Sequence, residues 1–304
     1  SFENEDFEVC KDRAALRAEA LQAATRRTDG DIDKKSPSWI RAWKQAAALA
    51  DLAQRYDTWA DRNAPVHQLY ADAASGSWRI DAAVRQIIVS GTPETSLPSG
   101  HPARETLSVY RDDLVGNRYI DYLGTLGSKM KGALESGDVL GDALTSCTDF
   151  WTEHRDHLDA AKDTIVFYLD ALRLDLAYEL KDRLQKHADT AGNVDLTISE
   201  SLHLGMLPSE TKFGMAAVMP GRPEALEVKY DQDKLRVLRS GQRLNTTKRH
   251  HLLRREGWAI APKDASAWSN ARVAYVDTEL DDIGENNLSQ IEDKLARRVN
   301  ELAA

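Results

Sequence analysis

The hydrophobic pattern of this chain changes near Lys162, and that change limits the folds that the chain can adopt. Before it, apolar side chains recur at helical spacing, as in the stripe from Trp39 to Trp59. After it, the run Thr164–Leu169 is almost wholly β-branched, aromatic or apolar, which is typical of a strand buried on both faces of a parallel sheet. The sequence therefore predicts an all-α helical domain over residues 1–161 and an α/β domain with a mostly parallel sheet over 162–304.

Proline and glycine divide the helical half into short segments. The stretch from Ser90 to Gly100 contains two prolines and two glycines, and it predicts the clearest loop in the chain. Helices are predicted over Arg13–Arg27, after Ser36-Pro37-Ser38, from Pro65 to Tyr70, over Trp78–Ile88, Leu107–Leu114 and Tyr119–Leu134, and over Leu140–Phe150.

The second half alternates between strand-like and helix-like segments, which is typical of a sheet covered by helices on both faces. The predicted strands are Thr164–Leu169, Val194–Ser199 and Val273–Val276, with a hairpin formed by Ala225–Lys229 and Leu235–Leu238. The predicted helices are Leu172–His187, Glu210–Val218, Leu288–Leu302, and one capped by Thr246 or Thr247 that runs to Arg255. In such folds, functional sites form at the carboxyl ends of the strands.

The amino-acid composition argues against several classes of protein. The 304 residues include only two cysteines, Cys10 and Cys147, and no CxxC pair, which argues against a zinc ribbon, a redox dithiol or a disulfide framework. A reducing cytoplasm fits this pattern. The longest clean apolar run, Ile165–Leu169, is far too short to cross a bilayer, so we expect no membrane contact. The acidic start has no initiator Met and no signal peptide, and we expect a piece of a longer protein.

A net charge of −9 argues against broad nucleic-acid binding. One local basic cluster, Lys248-Arg249-His250-His251, could still contact nucleic-acid phosphates. The alternative is that this cluster is only the solvated face of a helix.

Two residues stand where the strand-end rule predicts a site. Asp170 ends the buried strand, and Thr211 lies in the first turn of a helix that follows a Pro turn. A hydroxyl there meets the free N–H groups of the helix and can become a nucleophile when a cation lowers its pKa. The alternative is that Asp170, Ser209 and Thr211 only cap helices.

A third candidate is the segment Asp277–Glu285, which is mostly acidic and directly follows a predicted strand. Crowded carboxylates repel one another unless they are solvated or share a cation. Both hard divalent ions and zinc accept such oxygens. The alternative is a solvated loop before the last helix.

Three ordered motifs resemble the PglZ domain, a branch of the alkaline phosphatase superfamily. They are Phe167-Tyr168-Leu169-Asp170-Ala171-Leu172-Arg173, the stretch Leu207-Pro208-Ser209-Glu210-Thr211 that continues to Gly221, and Leu280-Asp281-Asp282-Ile283-Gly284-Glu285. The resemblance covers about residues 163–304, and the helical half is more loosely similar to the region that precedes this domain in PglZ proteins.

The resemblance implies a two-metal phosphoryl-transfer site in which Thr211 is the nucleophile and Asp170 shares one cation with it. The superfamily pattern for the other cation falls on Asp281 to Glu285, so that Asp281 and Glu285 would be ligands. Glu285 stands where histidine is usual, which favours Mn²⁺ or Mg²⁺ over Zn²⁺ at this position. Arg173 would either steady a phosphate oxygen or form a surface ion pair.

The superfamily also has a later strand that ends in Asp-His-Gly, which this chain lacks. Each metal would then keep about half of its protein ligands, and we expect weak or absent metal binding and poor hydrolysis from this piece. Two functions remain open. One is a metal-dependent phosphodiesterase, nuclease or phosphatase of a bacterial phage-defence system of the BREX or phage-growth-limitation type. The other is a non-catalytic scaffold that docks other phage-defence proteins. Nucleic acid is a further candidate partner.

Overall fold

The chain forms two compact units, Ser1–Val139 and Leu140–Ala304. The boundary predicted between residues 161 and 162 stays a prediction. The computed structural model describes residues 38–60, 64–89, 91–137, 145–160, 164–170, 172–191, 196–206, 210–221, 225–231, 233–261 and 272–277. The helices predicted at Arg13–Arg27 and Leu288–Leu302 lie outside these ranges.

The first unit is helical, as predicted. Its helices are α1 (Ser38–Ala60), α2 (Val66–Ala71), α3 (Trp78–Val89), α4 (Pro93–Ser96), α5 (Arg104–Arg111) and α6 (Arg118–Ser136), with a π-helical turn over Asp112–Asn117. The starts predicted after Ser36-Pro37, at Pro65 and at Trp78 are confirmed. The π-helical turn joins α5 to α6, so the predicted break between Leu114 and Tyr119 is absent.

The predicted loop over Ser90–Gly100 contains one helical turn, α4. Pro93 occupies the first position of this turn, and its fixed backbone angle suits a helix start. The side chains of Thr92 and Thr95 bond each other's backbone N–H groups in a capping box. Local hydrogen bonds of this kind explain why a segment with loop composition forms a helical turn.

Asp81 joins three helices in the core of the helical unit. Its carboxylate is buried in α3 and accepts hydrogen bonds from Tyr70 Oη of α2 at 2.7 Å and from Tyr119 Oη of α6 at 2.9 Å. Around it lies an apolar cluster in which Leu52 and Ile80 are almost fully buried. Since a buried carboxylate needs partners, these bonds fix the relative positions of α2, α3 and α6.

We expect Asp81→Ala to lower the free energy of unfolding of the helical unit by about 3 kcal/mol, because two tyrosine hydroxyls lose a charged acceptor in the core. Urea unfolding followed by circular dichroism measures the change. Asp121→Ala, at an exposed position of α6, is the matched control and should cost less than about 0.5 kcal/mol. Equal effects of the two substitutions would contradict this role of Asp81.

The second unit alternates strands and helices. Its strands are β1 (Thr145–Ser146), β2 (Ile165–Leu169), β3 (His203–Leu204), β4 (Leu226–Asp231), β5 (Lys234–Arg239), β6 (Gln242–Arg243), β7 (Ala259–Ile260) and β8 (Val273–Asp277). Its α-helices are α7 (Phe150–Glu153), α8 (Arg155–Ala160), α9 (Leu174–Ala191), α10 (Thr211–Ala217) and α11 (Thr246–Arg255).

A parallel sheet with strand order β2-β8-β7 forms the centre of this unit. Its register pairs Ile165 with Val273 and Leu169 with Asp277. A second parallel pair joins β1 to β3, whereas β4, β5 and β6 form an antiparallel sheet. The predicted hairpin is confirmed, and Asp233 turns between β4 and β5 with a φ of 59°. The fold is therefore a helical region followed by an α/β region, as predicted.

One face of the β2-β8-β7 sheet carries the apolar core of the unit. Val166, Tyr168 and Ala274 pack there against Met215 of α10 and Trp258. The prediction that β2 is buried on both faces is wrong at its start, where Ile165 remains 41% exposed. Because the sheet face and Met215 share one core, packing holds α10 beside the carboxyl end of β2.

Three predicted elements differ in the structure. The helix predicted over Leu140–Phe150 is replaced in its described part by β1 and a 3₁₀ turn over Cys147–Asp149, because the Ser146 side chain caps that turn. The strand predicted over Val194–Ser199 is absent from residues 196–199, and the chain forms its short strand later, at β3. The cap of α11 is Asn245, whose side chain accepts from the Lys248 N–H at 3.0 Å.

Among the residues that the structure describes, none of the helices has the length and apolar composition that crossing a membrane requires.

Candidate functional site

Two acidic residues lie side by side where adjacent parallel strands end. Asp277 is the last residue of β8, and Asp170 directly follows β2. The Asp170 N–H donates to the Asp277 carbonyl oxygen at 2.9 Å, which extends the ladder by one bond. Asp277 is buried. Acidic groups thus collect at the carboxyl edge of the sheet, where sites form in folds of this class.

A cavity of about 450 Å³ opens beside Asp170. Its wall includes Arg173 after β2, and Gly214 and Met215 of α10. Much of the remaining lining comes from Cys147, Phe150, Gly205 and Val218. The cavity therefore combines a carboxylate, a guanidinium and an apolar wall.

Thr211 is the first residue of α10 and is exposed. Gly214 and Met215 follow it by three and four residues, so all three lie on the same side of the helix. Because Gly214 and Met215 line the cavity, Thr211 lies one turn before the cavity wall, on the same helix face. Its neighbours Glu210 and Lys212 form an ion pair of 2.7 Å with each other.

The structure places the remaining predicted residues as follows. Arg173 Nε donates to Asp175 Oδ1 at 3.0 Å, and the Asp175 side chain is fully buried. Arg173 thus forms an ion pair with a buried partner rather than on the surface, and it also lines the cavity with Asp170. Asp281 and Glu285 lie outside the described residues. The roles of all these residues stay predictions.

The charge of Asp170 also acts on Arg249 of α11, a relation that the sequence did not predict. Burial lowers the pKa of Arg249, and the negative charge of Asp170 opposes that shift. Its Nη2 donates to Thr246 Oγ1 at 3.0 Å, whereas Nη1 is buried without a hydrogen-bond partner among the residues described. One signal was available, because Arg249 precedes the fully buried Leu253 by four residues and shares its face.

The basic cluster of α11 is accordingly only partly solvated. Arg249 is half-buried, and burial together with the charges of Arg254 and Arg249 lowers the pKa of His250. Lys248 and Arg254 remain exposed. The solvated-face alternative therefore fits the exposed Lys248 and Arg254 but not Arg249, and contact with nucleic-acid phosphates stays a prediction.

The donor atoms at this edge of the sheet fit a hard divalent cation. Asp170 and Asp277 offer carboxylate oxygens there. Thr211 could add a hydroxyl oxygen, but it lies at the start of α10 and outside the lining of the cavity beside Asp170. Mg²⁺ and Mn²⁺ prefer oxygen ligands of this kind, whereas zinc is most often bound through cysteine or histidine. The chemistry of the described residues thus agrees with the metal class expected for this site.

A cluster to which the sequence analysis gave no metal role lies in the same unit. Glu153, His154 and His203 bring their ligand atoms within 4.8 Å of one another. The sequence could not predict this cluster, because His203 lies far from Glu153 and His154 along the chain. The pairing of β1 with β3 brings His203 close to α7.

The parallel strands, the acidic edge and α10 lie within a segment that is similar to an alkaline phosphatase-like domain. Residues 150–286 match the family model described as "BREX system PglZ alkaline phosphatase-like domain". The matched segment contains Asp170, Thr211, Asp281 and Glu285, so the PglZ resemblance is confirmed over this part of the chain. Neither the curated proteins nor the solved structures gave a match to the chain.

Proposed function

We propose that the PglZ domain of this chain is a metal-dependent phosphoesterase of a phage-defence system, with Thr211 as its nucleophile. The observation that carries the proposal is the position of Asp170, which ends a parallel strand at a cavity shared with one face of α10. Arg173 lines this cavity, and the charge of Asp170 acts on the half-buried Arg249. A carboxylate with guanidinium groups around it suits a phosphate held through its oxygens.

Two divalent cations would be held by Asp170, Thr211, Asp281 and Glu285. When bound, such ions neutralise phosphate charge and make a coordinated oxygen more nucleophilic. The carboxylate-rich donor set favours Mn²⁺ or Mg²⁺, with Zn²⁺ as the alternative.

The protein's own residues then account for the reaction. The Thr211 Oγ1 forms a bond to phosphorus as its proton passes to solvent, and the ester oxygen leaves with the electrons of the broken P–O bond. Water next cleaves the phosphothreonine, which releases the phosphate product and restores the hydroxyl. Arg173, which lines the cavity, would donate hydrogen bonds to phosphate oxygens in both steps.

A phosphodiester within nucleic acid is the substrate class that α11 favours. Lys248, Arg254 and Arg255 are exposed on this helix, and such side chains gain affinity by neutralising backbone phosphates. The remaining net charge of the chain is acidic, so such binding would be local to this helix.

The proposal is tested by Asp170→Asn, which keeps the side-chain shape and removes the charge that would ligate a cation. We expect Mn²⁺-dependent turnover of bis(p-nitrophenyl) phosphate to fall at least about 100-fold, since losing a ligand exceeds the 10–100-fold effect of an outer-shell substitution. Mn²⁺ affinity, measured by titration calorimetry, should fall in parallel.

The matched control is Asp182→Asn, at an exposed position of α9. It should leave turnover and Mn²⁺ affinity unchanged. Because weak turnover is expected of residues 1–304, the assay also uses a longer chain that supplies the Asp-His-Gly strand of the superfamily. Equal activity of Asp170→Asn and the unsubstituted chain would refute the assigned ligand.

A docking role is the second candidate, and an exposed apolar face on α6 favours it. Ile120 is 67% exposed, and Leu123 and Leu134 follow on the same face with 44% and 42% exposure. Large exposed apolar side chains in a row are typical of interaction surfaces. Other proteins of the defence system would be the partners. Retained binding of such a partner without any turnover would support the scaffold over the enzyme.

A further inference from the structure

We propose that Glu153, His154 and His203 form a separate binding site for a divalent transition-metal ion such as Zn²⁺. Glu153 is the last residue of α7, His154 follows it directly, and His203 begins β3. Their ligand atoms lie within 4.8 Å of one another. None of the three belongs to the Asp170–Thr211 site, so this proposal does not depend on the phosphoesterase assignment.

Both imidazole rings place their Nε2 atoms close to the hydroxyl oxygen of Ser201. Nε2 of His203 lies 3.2 Å from Ser201 Oγ, and Nε2 of His154 lies 3.5 Å from that oxygen. Glu153 Oε2 approaches His203 Nε2 to 3.8 Å. Two nitrogens and one carboxylate oxygen therefore surround a common position next to Ser201.

The opposite nitrogen of His203 has the partner that a metal-binding histidine needs. His203 Nδ1 lies 2.9 Å from Thr145 Oγ1, and the parallel register pairs these two residues directly. When Nδ1–H donates to this oxygen, Nε2 retains the lone pair that binds a metal. Metal-binding histidines almost always have such an outer hydrogen bond, which fixes the tautomer and the ring orientation.

Phe150 and the strand pair hold the rings in place. The Phe150 ring centroid lies 4.9 Å from that of His154 and 6.4 Å from that of His203. The His203 side chain is only 12% exposed, whereas the Glu153 side chain is 34% exposed. The site is thus supported from one side and open to solvent on the other, which gives an ion an entry path.

The donor set identifies the class of metal. Two imidazoles and one carboxylate with an open position suit Zn²⁺ and similar first-row ions, whereas Mg²⁺ and Ca²⁺ prefer oxygen alone. In a tetrahedral zinc site the ligand atoms stand about 3.4 Å apart. Modest side-chain rotations close the present separations to this value, and the Ser201 hydroxyl or a water would fill the fourth position.

The test measures Zn²⁺ affinity by competition with a chromophoric chelator, using the whole 304-residue chain without a histidine tag. We expect His203→Ala to weaken binding at least about 100-fold, and Thr145→Val to weaken it about 10-fold through loss of the outer hydrogen bond. Glu153→Gln, which keeps the side-chain shape, should also weaken binding. It serves as the second ligand variant if His203→Ala does not fold.

Two controls distinguish this site from others. His157→Ala removes an exposed histidine of α8 outside the cluster and should leave Zn²⁺ affinity unchanged. Asp182→Asn, at an exposed position of α9 outside both proposed metal sites, should also leave it unchanged. The proposal is overturned if His203→Ala and Glu153→Gln bind Zn²⁺ as tightly as the unsubstituted chain, or if His157→Ala removes the binding instead.

The Co²⁺-loaded protein provides a spectroscopic check that does not depend on activity. Cobalt bound by two histidines and a carboxylate in a tetrahedral site absorbs visible light strongly, whereas octahedral Co²⁺ absorbs weakly. We expect strong absorption from the unsubstituted chain and from His157→Ala, and weak absorption from His203→Ala. Weak absorption from all three proteins would contradict the proposed ligand set.

Discussion

Replacing Thr211 by alanine is expected to lower phosphodiester turnover at least about 1,000-fold, because nucleophile removal has the largest effects seen in enzymes that form covalent intermediates. Thr211 is exposed at the start of α10, so the substitution should leave the fold and its stability nearly unchanged. Steady-state turnover of bis(p-nitrophenyl) phosphate with added Mn²⁺ or Zn²⁺ measures the effect. Trapping of a phosphorylated protein at low pH would show whether the covalent step occurs.

The matched control is Thr247→Ala, which removes another exposed threonine from the first turn of a helix, α11. It should retain full turnover. Undiminished turnover in Thr211→Ala would refute the nucleophile assignment even if Asp170→Asn is inactive. In that case Asp170 would still be a metal ligand, and another oxygen, such as that of water, would attack phosphorus.

The second large effect is expected at Trp258, where alanine should lower the free energy of unfolding of the α/β unit by about 4 kcal/mol. Trp258 is 1% exposed. Its ring meets Trp151 edge-on at 5.6 Å, and the Arg272 guanidinium lies over it at 4.4 Å. The substitution would therefore leave a large cavity beneath the sheet and remove the aromatic pair and the cation–π contact.

Urea unfolding followed by far-ultraviolet circular dichroism measures this loss without depending on tryptophan fluorescence. Tyr230→Ala is the aromatic control, because Tyr230 lies on β4 and is 71% exposed. We expect Tyr230→Ala to lower the free energy of unfolding by less than about 0.5 kcal/mol. A comparable loss in both variants would show that Trp258 is not a main contributor to this core.

The central strands were predictable because their sequences fit few structures other than a buried parallel strand. β2 and β8 are short and rich in β-branched and aromatic residues, and an aspartate directly follows β2 and ends β8. Continuous apolar runs of this length are typical of buried parallel strands, and the register confirms that they pair. Because functional sites form at the carboxyl ends of such strands, the sequence alone selects Asp170 as a candidate.

The short elements could not be predicted from the sequence, and the reason is physical. β1 and β3 contain two residues each, and strands of that length have no periodicity to detect. They exist because each supplies the other's hydrogen-bond partners. By contrast, residues 196–199 continue an alternating pattern but are not in a strand, since alternation alone does not provide a neighbouring strand.

The candidate site was predictable only where its residues belong to one motif. The charge relation between Arg249 and Asp170 depends on how α11 packs, which the local sequence does not specify. The same holds for Glu153, His154 and His203, because the histidines come together only when β3 pairs with β1. Helix periodicity offers partial information, since the buried Leu253 indicates the inward face on which Arg249 also lies.

The parallel register of β2 with β8 has a consequence for biosynthesis. Ile165 leaves the ribosome long before Val273, the residue with which it pairs. Closing such a large loop costs entropy before any contact repays it, whereas the β4–β5 hairpin closes locally. The nascent polypeptide must therefore carry an unpaired, aggregation-prone edge at Phe167 until β8 emerges, and this interval is where a chaperone would be needed most.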